Sequence, residues 1–460
     1  MNATERGLSS DTTTYLDQLA DFANRTQLAD VSPAALDYLR AIIADTLAAS
    51  AAGNQEAEMK ALLAKQLPQV AAGHASVIGS GRRLNPMDAA ALNAAAGCWL
   101  ELDEGNLATN GHPGIQVLPA AFAVAQQLGC SGEQLLLACA LGYEICGRIG
   151  GACDMRMEIH PHGTYGVVGA AVAVAKLQGL DPRRMRELIS LAGSSPIGGN
   201  RRSMKDGATL RNWYAAHSAL MGQMAVRLVE SGFTGPLDGV AATCDEVLFD
   251  NFRPADVVRD LGRRWFLAEG YIKLYPCGRP IHAAIDALRM ALAKATVPVR
   301  PEDIERINVR GFKFIIFLNR KDIRNAFATR FSTPFALAAV IVKGSHGLEC
   351  FTDSTASDPR INALMQRVEM HEVPEFSAQF PGKQLCEVAV LLKDGTRLEG
   401  RCETIRGEPA NPADPDEYRE KFFAIARPIW GEVLSGRVYS DVLNIEKLGN
   451  VRQLAGGADL

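Results

Sequence analysis

Four histidines stand where a side chain can face a cleft: His112, His160, His162 and His282 lie beside proline, glycine or a helix start rather than inside an apolar face. Pro113 keeps the backbone of His112 extended and then permits a helical turn to begin. The imidazole is thereby expected near a helix N-terminus, where an anionic ligand is favoured. Just upstream, "WLELDE" supplies Glu101, Asp103 and Glu104, and a carboxylate beside an imidazole can fix its tautomer or act as base itself. "EIHPHGTYGVVGAA" repeats the pattern, with His160-Pro161 followed by Gly163, Thr164 and Gly166 at the mouth of an Ala-rich run. Glycines there expose N–H groups that suit a carboxylate or phosphate.

Cations gather in two further stretches. "YIKLYPCGRPIHAAIDAL" crowds Lys273, Tyr275, Arg279 and His282 into one turn and the helix after it, a density suited to recognising a carboxylate-bearing substrate. "GGNRRSMKDGATLRNWYAAH" places Arg201, Arg202, Lys205 and Arg211 among glycines between two apolar helices, as a basic lip over a cleft. Cys277 has no base paired with it in sequence, so it reads as a structural thiol. HExxH, GxxxxGK[ST] and a GxGxxG set after a strand are all missing, and the histidines are too far apart in sequence to suggest a metal set. The expected chemistry is acid–base work on a polyanion with no cofactor and no metal.

Helices must carry most of these groups. From Pro33 to about Val229 apolar residues recur at helical spacing, as in "ALDYLRAIIADTLAAS", "MDAAALNAAAGCWLE", "GIQVLPAAFAVAQQLG", "GEQLLLACALGYEICGRI", "TYGVVGAAVAVAKLQG" and "NWYAAHSALMGQMAVRLVESG". Their Ala and Gly content lets helix axes come close. After about residue 270, "ERINVRGFKF" and "CEVAVLLKDGTRLEGRCETI" alternate as strands, the second with an Asp394-Gly395 hairpin signal. "GEPANPADPDEYREKFFAIARPIW" then returns to loop and helix. The expected fold is mainly α: a large all-α domain over residues 1–268, a smaller α+β domain over 269–405, and a return to the first domain over 406–460.

The 460 residues carry 48 Lys and Arg against 52 Asp and Glu, a formal charge of −4, which speaks against nucleic acid as a partner. The polar, acidic start "MNATERGLSSDTTTYLDQLADFA" resembles neither a secretory signal nor a transit peptide, and the apolar runs are too short and broken to span a bilayer. A cytoplasmic location is expected. Ten cysteines without a CxxC pair suit a reducing compartment.

The same stretches, in order, resemble the MmgE/PrpD family, whose members include 2-methylcitrate dehydratase, cis-aconitate decarboxylase and iminodisuccinate epimerase. The resemblance rests on "ELDEGNLATNGHPGIQVLPAAFAVA", "HPHGTYGVVGAAVAVAKLQGLD", "DGATLRNWYAAHSALMGQMAVRLVESGFTGP", "KLYPCGRPIHAAIDAL" and "FSTPFALAAVIVKG", and runs over nearly the whole chain. It implies an all-α domain with an inserted α+β lid, a cleft between them, and a homodimer. It also implies a cofactor-independent lyase or isomerase that abstracts a proton α to a carboxylate of a small di- or tricarboxylate. Dehydration is the favoured outcome, with decarboxylation and epimerisation as alternatives, and a non-catalytic carboxylate-binding protein as a rival of another class. Carried over by motif, the catalytic positions fall on Asp103, His112, His160, Lys273 and His282. Glu101, Arg201, Arg202, Arg211 and Tyr275 are the expected substrate-binding set. Two departures stand out: Arg211 occupies a position where many members have Lys, and Phe335 one where some have Tyr.

Overall fold

Local capping sets the helix starts. The computed structural model describes residues 14–66 and 68–454; the N-terminal leader reading falls largely on residues 1–13, outside that range. Ser32 accepts from Ala35 N to open α1 (Pro33–Gly53), and Asn85 accepts from Met87 N and Asp88 N to open α2 (Pro86–Gly97). In both, proline fills the first helical position, where its missing N–H is not needed. His112 occupies the same slot before α3 (Pro113–Leu128) without a side-chain cap bond, so its ring is free for other work. A Ser131–Gln134 capping box opens α4 (Gly132–Gly151). Left-handed Gly129 ends α3, and left-handed Gly179 ends α5 (Gly166–Gln178).

These helices, with α6 (Leu210–Glu230), enclose one apolar core in which alanine is the commonest filler. Small residues set how near the axes come. A Cβ on Gly142 of α4 would lie 2.5 Å from the carbonyl oxygen of Gly169 on α5, and the reverse holds equally. The two backbones therefore touch, and only glycine fits on either side. A short hairpin, β1 (Ala75–Val77) with β2 (Arg82–Leu84), edges this core.

A second core begins near Tyr275. There α7 (Arg279–Leu292) and α8 (Thr333–Lys343) accompany a four-stranded sheet of β3 (Ile304–Gly311), β4 (Val368–Glu372), β5 (Cys386–Leu392) and β6 (Arg397–Cys402), ordered β4-β3-β5-β6. The β3–β4 pair is parallel and the others antiparallel. Phe335 is buried in this core beside Phe351, away from the cleft. The chain ends in α9 (Pro415–Leu443), which opens on an Asp414–Glu417 capping box and breaks at left-handed Gly431. Its Phe422, Phe423 and Val442 lie in the first core. Lys421 reaches Asp45 of α1 at 2.5 Å and donates to Leu102 O at 3.2 Å, so the C-terminal helix props the loop leading into the site.

The chain is thus mainly helical with small sheets. The "MDAAALNAAAGCWLE" run departs from the expectation: its helix stops at Gly97, and the chain turns until Glu101 takes a left-handed φ of 53°. Among the described residues no helix is long and apolar enough to cross a membrane.

Candidate active site

An antiparallel bridge explains how two distant stretches converge. Gly105 and Tyr271 exchange backbone hydrogen bonds at 3.0 and 2.7 Å. Two residues out from that pair, residues 103 and 273 fall opposite each other on one face. Lys273 Nζ accordingly lies 3.0 Å from Asp103 Oδ1 and 3.0 Å from Glu101 Oε2. Arg211, in the first turn of α6, pairs with the other Glu101 oxygen and donates through Nη1 to Cys98 O at 3.2 Å. A left-handed non-glycine residue costs about 1–3 kcal/mol, and at Glu101 it points the carboxylate at both cations.

Three imidazoles sit beside this ion cluster. His112 Nδ1 is 2.5 Å from Glu104 O and 3.3 Å from Asp103 Oδ2. A carbonyl oxygen only accepts, so the proton of the neutral ring is on Nδ1 and Nε2 carries the lone pair. His162 Nε2 lies 3.4 Å from the same Asp103 oxygen, and its ring packs edge-on against His112 at 5.0 Å and His160 at 4.6 Å. His160 is held by a second bridge, Ile159 to Asn200, in which His160 N donates to Gly199 O and Arg201 N to Glu158 O. Its ring nitrogens face two donors, His162 N at 3.1 Å and Arg211 Nε at 3.1 Å. A neutral imidazole accepts at one nitrogen only, so an extra proton is strongly disfavoured there.

The electrostatics follow from burial. Desolvation lowers His112 to about 4 against the opposing pull of Asp103, and lowers His162 to about 3 with help from Arg211. Burial and then Arg211 hold His160 well below its ordinary range. Burial works against charge on Asp103 and Lys273 too, but each is outweighed: Lys273, His112 and His162 hold Asp103 low, and Asp103 and Glu101 hold Lys273 high. The cluster is therefore an ionised Lys273–Asp103 pair, joined to Arg211 through Glu101, beside neutral imidazoles of which His112 lines the cleft with its Nε2 lone pair free. Glu104 differs. Burial raises its pKa well above the carboxylate range, and it receives Gly114 N at the start of α3.

A cleft of about 600 Å³ opens over this group, lined by Glu101, His112, His160, Arg201, Arg211 and Lys273. Asp103 and His162 lie beneath its lining, both buried. Three residues of the expected set sit elsewhere. Arg202 is exposed and pairs with Asp206 in a separate surface pocket. Tyr275 turns inward, donating to Asp286 at 2.6 Å and accepting from Arg289 at 2.8 Å. His282 is fully buried on α7, against Cys277 O at 3.2 Å and Arg279 Nη1 at 3.4 Å. It reaches the cleft only through Arg279, which lines the cleft and pairs with Glu408. His162, Glu104 and Gln116 belong to the site although the expected set omits them. Gln116 donates to His112 O at 3.0 Å and accepts from Gly163 N at 2.9 Å, joining the two histidine loops. For His162 the signal was there, in the alternation His160-Pro161-His162.

Asp103, His112 and His162 offer ligand atoms within 4.8 Å of one another, as a cation site would. Yet Asp103 Oδ1 is held by Lys273 and His112 Nδ1 by a carbonyl, so a metal would meet a fixed ammonium and a nitrogen that carries a proton. The donor set suits proton transfer better than metal ligation.

The N-terminal domain profile of MmgE/PrpD proteins matches residues 17–245, and the C-terminal domain profile matches residues 275–444. The chain belongs to the MmgE/PrpD family. Curated relatives include the cis-aconitate decarboxylase of Mus musculus, 28% identical over 75% of this chain and 72% of its own length. The human cis-aconitate decarboxylase is 27% identical over 80% of this chain and 78% of its own. The 2-methylcitrate dehydratase of Escherichia coli strain K12 is 26% identical over 80% of each. In this MmgE/PrpD protein Lys273 lies at the end of the stretch between the two matched profiles, residues 246–274, where the chain passes from the first core to the second.

Proposed function

We propose that this protein is a lyase that takes a proton from the carbon α to a carboxylate of a small di- or tricarboxylate and expels a β-hydroxyl as water, in the manner of a 2-methylcitrate dehydratase. One observation carries the reading: His112 is neutral, its Nδ1–H is pinned by Glu104 O with Asp103 Oδ2 3.3 Å away, and it lines the same cleft as Arg211 and Lys273. His112 Nε2 takes the proton. Arg211, Lys273 and Arg201 bind the carboxylates and stabilise the negative charge that develops as the C–H bond breaks. The imidazolium so formed gives its proton to the departing hydroxyl, so that water leaves and a double bond forms. Asp103 holds His112 in one tautomer, and His160 fixes Arg211. His282 acts behind Arg279 as a positioning group.

Residues 269–405 act in this reading as an inserted lid between residues 1–268 and 406–460, in a cytoplasmic homodimer that needs no cofactor. A second outcome, loss of CO₂ with protonation of the same carbon, is favoured by the similarity to proteins named cis-aconitate decarboxylase. The test is proton NMR in D₂O with citrate, 2-methylcitrate, cis-aconitate and iminodisuccinate. Loss of the α-proton signal with appearance of an alkene is expected. A silent panel, together with saturable binding of the same acids, would replace the lyase by a carboxylate-binding protein.

A further inference from the structure

The cleft is larger and more apolar than the ion cluster needs. Its volume of about 600 Å³ lies within the roughly 300–1,000 Å³ that encloses a drug-sized ligand, well beyond a citrate-sized acid. Away from Lys273 the wall changes character: Met155 and Met157 come from the loop before His160, and Leu318 and the half-buried Phe314 and Phe380 come from the second core. Phe314 and Phe380 meet edge to face at 6.1 Å. Arg201 stands at this wall, its guanidinium 5.2 Å from the Phe314 ring centre and its Nη1 donating to Met157 O at 3.2 Å.

The other cations of the lining are already partnered or exposed. Arg211, Lys273, Arg279 and Arg253 each meet a carboxylate, and Lys313 is exposed. Among the described residues, Arg201 meets no carboxylate, only the carbonyl and sulfur of Met157 and the sulfur of Met155. A carboxylate of the ligand can take that place, with the neighbouring methionine and phenylalanine surfaces left for apolar groups.

We infer that the substrate is a polycarboxylate carrying an unbranched alkyl substituent several carbons longer than methyl, the chain lying on Met157, Phe314, Leu318 and Phe380 and a carboxylate on Arg201. This rests on the lyase reading above and adds the substrate class. Methionine and phenylalanine suit such a chain because both present polarisable, adaptable apolar surface.

A homologous series of 2-methyl-, 2-propyl- and 2-hexylcitrate, with the matching alkyl-aconitates, tests it by kcat/KM on the full chain. Each methylene moved from water onto that wall should raise kcat/KM roughly threefold to fourfold, until the cleft is full. Phe314→Ser and, separately, Met157→Ser should each lower the ratio of hexyl to methyl kcat/KM at least tenfold. Two variants on different elements guard against one that misfolds. A flat or falling series in the wild-type protein, with the methyl acid still turned over, overturns the chain site and leaves the lyase reading standing. No turnover of any acid overturns both.

Discussion

Burial beside the ion cluster, helped by Lys273 and Arg211, turns His112 into a base that works far below neutral pH. His112 is neutral above about pH 4 because burial outweighs Asp103, so the acidic limb of kcat/KM is expected near pH 4 instead of near 6.5. A limb near 6.5 would mean that His112 is not the base. His112→Gln, which keeps a polar side chain but no base, should lower kcat by roughly 10²–10⁴ while circular dichroism stays unchanged. Stability follows the same groups. Unfolded, His112 and His162 take up protons near 6.5, but folded only near 4 and 3. As pH falls below about 6.5 the unfolded chain therefore binds more protons, and stability is lost; denaturant titrations at pH 7 and pH 5 should show it, and His162→Gln should reduce the difference. The candidate residues could be read from type and neighbourhood at His112, His160, Asp103 and Lys273, because proline, glycine and charge act locally. Tyr275 and His282 could not be placed the same way. Which side of a turn faces the cleft is decided by Asp286, Arg289 and Cys277 O, contacts fixed only after α7 has packed.

Elements divide by how much of their signal is local. The helices of the first core announce themselves by cap, proline and apolar period, and β5 and β6 by alternation around left-handed Gly395. β4 carries "VEMHE", mostly polar and exposed, and exists because its backbone pairs with β3, a long-range event without local trace. The α4–α5 contact is legible only as glycine within helices. Gly142→Ala would drive a methyl against Gly169 O, and overpacking of this kind costs about 1–3 kcal/mol. A lower urea midpoint with an unchanged slope would show it; an unchanged midpoint would mean that the two helices can part. Ser131→Ala, which removes a capping box from the exposed end of α4, should cost about 1 kcal/mol and leave turnover intact.

Across the whole molecule the site depends on parts far away in sequence. Lys421 of α9 ties the C-terminal helix to Asp45 and to the carbonyl of Leu102, one residue before Asp103. Removing one partner of a buried pair costs about 3–5 kcal/mol. Lys421→Met should thus lower both thermal stability and turnover, and adding Asp45→Asn should recover part of the stability. Equal losses in the single and double variants would show that the pair itself does not matter. The unpartnered Arg201 has one more consequence. Within the ion cluster Arg211 and Lys273 offset Glu101 and Asp103, so Arg201 adds one positive charge beside it that no carboxylate among the described residues balances. A dianion or trianion entering the cleft finds too little to balance it, and raises the proton affinity of the nearest neutral base, His112. Ligand capture should therefore draw hydrogen ions from solution near pH 5, where the heat of binding measured by calorimetry should change with the ionisation enthalpy of the buffer, and far less at pH 7, where His112 stays neutral.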